Sequence, residues 1–152
     1  MAYWLFKTEP TECSIDDFAN APDTPVVWEG VRNYQARNML RDQVQLDDQV
    51  LIYHSSCKLI GVAGIAKVVR TAYPDPSQFN ASSAYFDEKS SQNSPRWVTV
   101  DLTFVNKLPK IITLDKIKSS AKLKELPLVQ RGSRLSVMPV TPSQWRDILQ
   151  LQ

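Results

Sequence analysis

Histidine, cysteine and glycine are scarce in this chain: one His, two Cys and four Gly among 152 residues. A structural zinc site takes about four ligands, mostly Cys or His at close spacing. Cys13 and Cys57 lie far apart, no C-x-x-C exists, and His54 alone could join them. A zinc centre is therefore not expected, and neither is a disulfide framework; both thiols read as reduced. No P-loop pattern and no G-x-G-x-x-G occurs, so phosphate cradling of the nucleotide-hydrolase kind is unsupported. No cofactor is expected. No apolar run approaches the roughly 18 residues of a membrane span. The run from Met1 to Lys7 lacks the basic start of a secretory signal, so the expected location is cytoplasmic, with no membrane partner. Charge of one sign is also missing: 18 basic against 16 acidic residues leave a net +2. Such a chain does not coat nucleic acid through bulk charge; it would bind through a local site.

What is present is an ordinary folded-domain composition, 43% hydrophobic and 22% charged. Tyr3 to Lys7 reads as a strand, ended by Glu9-Pro10. Ser14 is placed as the N-cap of a short helix with acidic residues in its first turn. A helix is expected from about Asn33 to Arg41, with Ala36, Met39 and Leu40 inward and Tyr34, Arg37, Asn38 and Arg41 outward. Asp48 to His54 and Leu59 to Arg70 read as strands, the second with Gly61 and Gly64 marking a bulge or bend. Tyr73 to Pro95 reads as a long loop tacked down by Phe79, Tyr85 and Phe86. Trp97 to Phe104 alternates as a half-buried strand. Ile111 to Thr113 is either its continuation past Pro109 or a separate strand. One or two short helices follow up to about Leu126, then a strand over Leu135 to Val140. Thr141, Pro142 and Gln144 form a capping box opening the last helix. Short strands with small helices inserted indicate an α+β domain whose sheet curls toward a barrel.

The segment Trp28 to Asn38 carries the most chemistry. Trp28 and Tyr34 can stack on a base. Asn33 and Asn38 can bond the edge of an extruded base. Arg32 and Arg37 can hold phosphates. The bland alternative is a core Trp beside a solvated helix face. Arg131, Ser133, Arg134 and Ser136 form a second basic and hydroxylic cluster, with a basic turn as its bland alternative. His54 and Ser55 are sequence neighbours on one strand and point to opposite faces, which is poor geometry for a nucleophile and its base. Lys118, Lys122 and Lys124 read as a solvated face.

The runs Tyr3-Trp4-Leu5-Phe6-Lys7-Thr8-Glu9-Pro10 and Trp28 to Asn38 closely resemble the EVE-domain family. So do Tyr53-His54-Ser55, Ala72-Tyr73-Pro74-Asp75-Pro76, Pro95-Arg96-Trp97 and Gly132 to Val137 with Pro139-Val140. The blocks follow family order over nearly the whole chain. The resemblance implies a single EVE domain over residues 1–152, of the stand-alone bacterial kind. The implied fold is a PUA-like bent mixed β-barrel with short flanking helices. Met138 stands where many relatives are similar to one another in having glutamine. The resemblance, which extends to the related YTH domains, implies a reader of modified bases in DNA or RNA and not an enzyme.

The expected function is thus a non-enzymatic reader of nucleic acid carrying modified bases. A flipped base would enter a pocket walled by Trp28 and Val31. Asn33, Tyr34, Asn38, His54, Ser55, Ser133 and Ser136 would supply polar contacts. Arg32, Arg37, Arg131 and Arg134 would form a basic rim, attractive to a buffer anion. One alternative is an ASCH-like amidohydrolase using Lys7, Thr8 and Glu9, although neighbours on a strand alternate sides and should not converge. Another is a protein-interaction adaptor.

Overall fold

A computed structural model describes all of residues 1–152. Six strands form one mixed sheet: β1 (Tyr3–Thr8), β2 (Val26–Val27), β3 (Gln49–His54), β4 (Gly61–Pro74), β5 (Val98–Thr113) and β6 (Val137–Val140). Their hydrogen-bonded order is β2-β5-β4-β3-β1-β6, with β2 and β6 at the edges. β1 runs parallel to β3, from Tyr3 opposite Gln49 to Thr8 opposite His54, and antiparallel to β6. The helices are α1 (Ile15–Ala19), α2 (Tyr34–Asp42), α3 (Leu114–Lys118) and α4 (Pro142–Leu149). The expected α+β class and mixed sheet with short helices hold. No helix is long and apolar enough to cross a membrane.

The period-two pattern of the strands sorts the core into two layers. Trp4 and Phe6 of β1, with Val50 and Ile52 of β3, face a layer closed by Ile15 and Phe18 of α1 and Ala36 and Leu40 of α2. Leu5, Leu51 and Tyr53 face the opposite layer, closed by Ile117 of α3, Leu123, Leu126 and Leu128, and Trp145 and Ile148 of α4. Met138 is wholly buried in this second layer.

The caps expected from sequence form. Ser14 and Asp17 make a reciprocal capping box at α1, and Thr141 and Gln144 another at α4, with Pro142 beside the cap. The β4–β5 register shifts between Val62 and Gly64, where two positions on β4 face a jump from Ile112 to Lys107 on β5. Pro109 falls inside that interruption, where no ladder hydrogen bond is required of it. This is why Ile111 to Thr113 continues β5 and is not a separate strand. Gly64 has a further reason to lack a side chain: a Cβ there would collide with the Ile15 side chain.

The end of β4 and the start of β6, at Val137 in place of Leu135, differ from expectation. β4 runs through Tyr73 and Pro74, which pair with Thr99 and Val98, so the long loop begins at Asp75. That loop is tacked down mainly by polar groups and less by its aromatics. Gln78 is fully buried and uses both ends of its amide: Nε2 donates to the Asp75 and Trp97 carbonyls, and Oε1 accepts from the Arg96 and Trp97 N–H groups. Phe86, by contrast, is 43% exposed.

Candidate functional site

β1 ends at Thr8, and Glu9 to Cys13 turn away from the sheet, with the Glu9 carbonyl accepting from the Glu12 and Cys13 N–H groups. Opposite this turn, Val26 to Val31 leaves edge strand β2. Between them lies a cavity of about 730 Å³. Trp28, Val31, Ser55 and Ser136 border it, together with Lys7, Thr8, Glu9, Glu12, Cys13, Glu29 and Tyr85. Its size falls in the range of pockets that hold small organic ligands.

Trp28 is both wall and core. It is only 6% exposed. Its ring packs 5.5 Å from Phe6 and 6.4 Å from Phe18, centroid to centroid. Tyr85 reaches the cavity from the long loop. Gly30 permits this: its φ is +89°, and a Cβ would meet the Tyr85 ring at 2.6 Å. The Tyr85 hydroxyl donates to Glu12 Oε2 at 2.6 Å, so the long loop and the β1–α1 turn are joined at the cavity. Burial, that hydrogen bond and the charges of Glu12, Glu9 and Glu29 push the Tyr85 phenol up to about 12. The Glu29 carboxyl is also raised, by burial first and then by Asp75 and Glu12, against the pull of Arg32. Burial, with Asp17 and Glu12, pushes the Cys13 thiol up to about 11, which leaves it a poor nucleophile.

The remaining expected site residues divide by what their side chains do. Arg32 is no free phosphate clamp. Its Nη1 bonds Asp75 Oδ2 at 3.0 Å, its Nη2 donates to the Tyr85 carbonyl at 2.7 Å, and the same nitrogen reaches Ser77 Oγ at 3.1 Å. Asn33 is the N-cap of α2: its Oδ1 accepts from the Ala36 N–H at 3.0 Å, which withdraws that donor from any anion. Tyr34, 52% exposed, stacks on Trp97 at 4.8 Å. The Arg37 guanidinium lies 4.7 Å from the Tyr34 centroid and donates to the Arg96 carbonyl and to Asn38 Oδ1. Tyr34, Arg37 and Asn38 therefore form a ladder on the outer face of α2 and do not line the cavity. His54 is buried, its Nε2 accepting from the Ile15 N–H at 3.1 Å. Burial lowers its pKa, opposed by Asp16 and assisted by Lys107, and it works as a neutral anchor for α1. Arg131 and Arg134 are exposed, Ser133 is half-buried, and none of the three borders the cavity.

The expected basic rim is thus corrected. Among the residues bordering the cavity, one cation, Lys7, stands against three carboxylates, Glu9, Glu12 and Glu29. Arg32 and Arg37 have partners remote in sequence, and Arg131 and Arg134 lie outside the cavity. Tyr85, Glu12 and Glu29 were missed; Glu29 sits inside the quoted Trp28 to Asn38 block and could have been taken with it. Lys7, Thr8 and Glu9 all border the cavity, since the chain leaves the strand after Thr8. The three share one cavity although strand neighbours alternate, against the expectation that they would not meet. Lys7 Nζ sits 5.9 Å from the Tyr53 ring of the second core layer, and Thr8 Oγ1 donates to the Cys13 carbonyl at 2.9 Å.

The comparisons agree with this architecture. Thymocyte nuclear protein 1 of Mus musculus is 38% identical over 167 aligned residues, covering 99% of this chain and 73% of that protein. A crystal structure of a protein from Pseudomonas syringae is 48% identical and superposes with a TM-score of 0.95, covering 99% of both chains. Human THYN1, solved in complex with DNA containing 5-methylcytosine, is 36% identical with a TM-score of 0.92, covering 99% of this chain and 97% of that one. The family model described as the EVE domain matches residues 2–151, and with relatives so similar over nearly its full length this chain belongs to the EVE-domain family.

Proposed function

We propose that this protein is a non-enzymatic reader of modified bases in nucleic acid, and that the cavity beside Trp28 receives an extruded base. The observation that carries this reading is the cavity itself: it has base-compatible volume, the rings of Trp28 and Tyr85 on its walls, and hydroxyls from Ser55 and Ser136. The crystallisation of a relative with 5-methylcytosine DNA supports it. The acidic mouth suits the reading too. A carboxylate such as Glu29 accepts from the exocyclic amine of cytosine or adenine, and it repels phosphate. The walls offer the pocket; phosphate contacts come from elsewhere on the surface.

The protein binds without converting its ligand. The raised Cys13 thiol, a poor nucleophile, supports this; Lys7, Thr8 and Glu9 on the cavity lining are the groups an amidohydrolase would use instead.

The test is affinity for otherwise identical oligonucleotides with and without one 5-methylcytosine, measured for the wild type and for Ser55→Trp, which fills the cavity. The wild type should prefer the modified strand, by about 1–3 kcal/mol at most for one methyl group. Ser55→Trp should erase the preference while remaining folded. Equal binding of the two strands by the wild type, or an unchanged preference in Ser55→Trp, would overturn the reading. Turnover of acylated cytidine by the wild type, lost in Lys7→Ala, would favour the amidohydrolase instead.

A further inference from the structure

The small net charge hides a strong segregation. Between Asn106 and Ser136 the chain carries eight of its 18 basic residues and only two of its 16 acidic ones, Asp115 and Glu125. That segment has net charge +6, and the rest of the molecule accordingly has −4. The eight cations are all exposed. Of the three ion pairs in the structure, only Lys107 with Asp16 involves one of them.

Lys107 reaches α1 over the first core layer, and the fold explains why six of the other charges fall along one covering segment. The segment from α3 through the 3-10 turns Ala121–Leu123 and Pro127–Val129 covers the second core layer. Ile117, Leu123, Leu126 and Leu128 point inward, so Lys116, Lys118, Lys122 and Lys124 are left on the outer side, and Arg131 and Arg134 continue the series. The segment then reaches Ser136, which borders the cavity and whose carbonyl accepts from the Lys7 N–H of β1. The acidic residues of the cavity mouth lie at the other end of this path.

We infer that the outer face of the 116–134 segment is a docking surface for the phosphodiester backbone of the nucleic acid whose base enters the cavity. The occupant is a polyanion because the surface offers many exposed, unpaired cations and almost no carboxylates. It is a nucleic acid because the cationic layer leads to the wall of a base-sized cavity whose own mouth is acidic. The surface holds and orients the strand and carries no base information; the cavity supplies the preference. The Lys122 and Lys124 face, which reads in the sequence as merely solvated, is part of this contact. The inference builds on the base-reader reading but is separable from it.

The experiment compares the wild type with Lys122→Glu/Lys124→Glu and, separately, Arg131→Ala/Arg134→Ala. Binding to 5-methylcytosine and unmodified oligonucleotides is measured between low and moderate salt. All four positions are exposed, and melting curves check the fold. The charge reversal should weaken both oligonucleotides about tenfold or more at low salt. It should flatten the slope of log affinity against log salt by about 1–2, and leave the ratio between the two oligonucleotides unchanged. The arginine pair should flatten the slope by about as much, with a smaller loss. An unchanged affinity and slope in both variants would overturn the inference. So would tight binding of the wild type to anionic lipid vesicles at a salt concentration where oligonucleotides do not bind. If the charge reversal abolishes binding while Ser55→Trp leaves the 5-methylcytosine preference intact, the docking surface stands and the cavity reading fails.

Discussion

Arg32 and Asp75 meet at 3.0 Å across a separation of 43 residues, and Asp75 is completely buried. The carboxylate also accepts from the Gly30 N–H and from the N–H and hydroxyl of Ser77. One buried anion thus fastens the long loop to the chain that leaves β2, and so sets where Tyr85 stands over Gly30. Asp75→Ala should destabilise the protein by about 3–5 kcal/mol, because removal of one partner strands a partly buried guanidinium. Arg32→Ala should be similarly costly, and the double variant should cost less than the sum of the two. Chemical denaturation of the four proteins measures this. Additive losses would show that the two side chains act independently.

His54 predicts a pH dependence of stability. Its folded pKa lies below the ordinary 6.5, with burial as the main cause. The unfolded chain therefore takes up a proton that the folded protein resists. The contribution of this group to stability is complete above about 6.5, where His54 is neutral in both states. It declines as the pH falls through and below that value. Protonation would also set an N–H against the Ile15 N–H that Nε2 now accepts. Melting temperatures between pH 7.5 and 5 should fall for the wild type and fall less for His54→Gln. Parallel curves for the two proteins would contradict the assignment.

Gly30→Ala should damage the cavity specifically. The positive φ disfavours any Cβ, and the added atom would strike the Tyr85 ring. A destabilisation of about 1–2 kcal/mol is expected from the backbone alone. The Tyr85 ring must also shift, so tyrosine fluorescence and affinity for a 5-methylcytosine oligonucleotide should both change. Gly132 is the control: it also has a positive φ, of +76°, but nothing lies within 4 Å of a Cβ built there. Gly132→Ala should show the backbone cost without the change at Tyr85.

Local chemistry was legible in the chain, and distant pairing was not. Ser14 and Thr141 cap helices through residues three positions away, so their role could be read directly. The two-layer core follows from the alternation in Trp4-Leu5-Phe6 and Val50-Leu51-Ile52-Tyr53. Arg32 looked like a phosphate ligand because its acceptor, Asp75, lies beyond two strands and a helix. Gln78 gave no sign of being buried, since an amide enters the core only where all four of its hydrogen bonds are met, and its partners come from Asp75, Arg96 and Trp97. The aromatic content of the Trp28 block was informative, but the acidic character of the cavity depends on Glu9 and Glu12 turning back after β1 ends. Tyr85 was read as a surface tack, and nothing local reveals that a glycine 55 positions earlier would make room for its ring.

The central claim is that a base enters the cavity beside Trp28, and the most direct measurement is where a bound oligonucleotide perturbs the protein. Titration of isotope-labelled protein with a short strand carrying one 5-methylcytosine should shift the indole resonance of Trp28 and the amide resonances of Gly30, Val31, Ser55 and Tyr85. An unmodified strand at equal saturation of the cationic face should shift those cavity signals much less. If both strands perturb only the Lys116–Arg134 region and leave Trp28, Ser55 and Tyr85 untouched, no base enters the cavity and the account is contradicted.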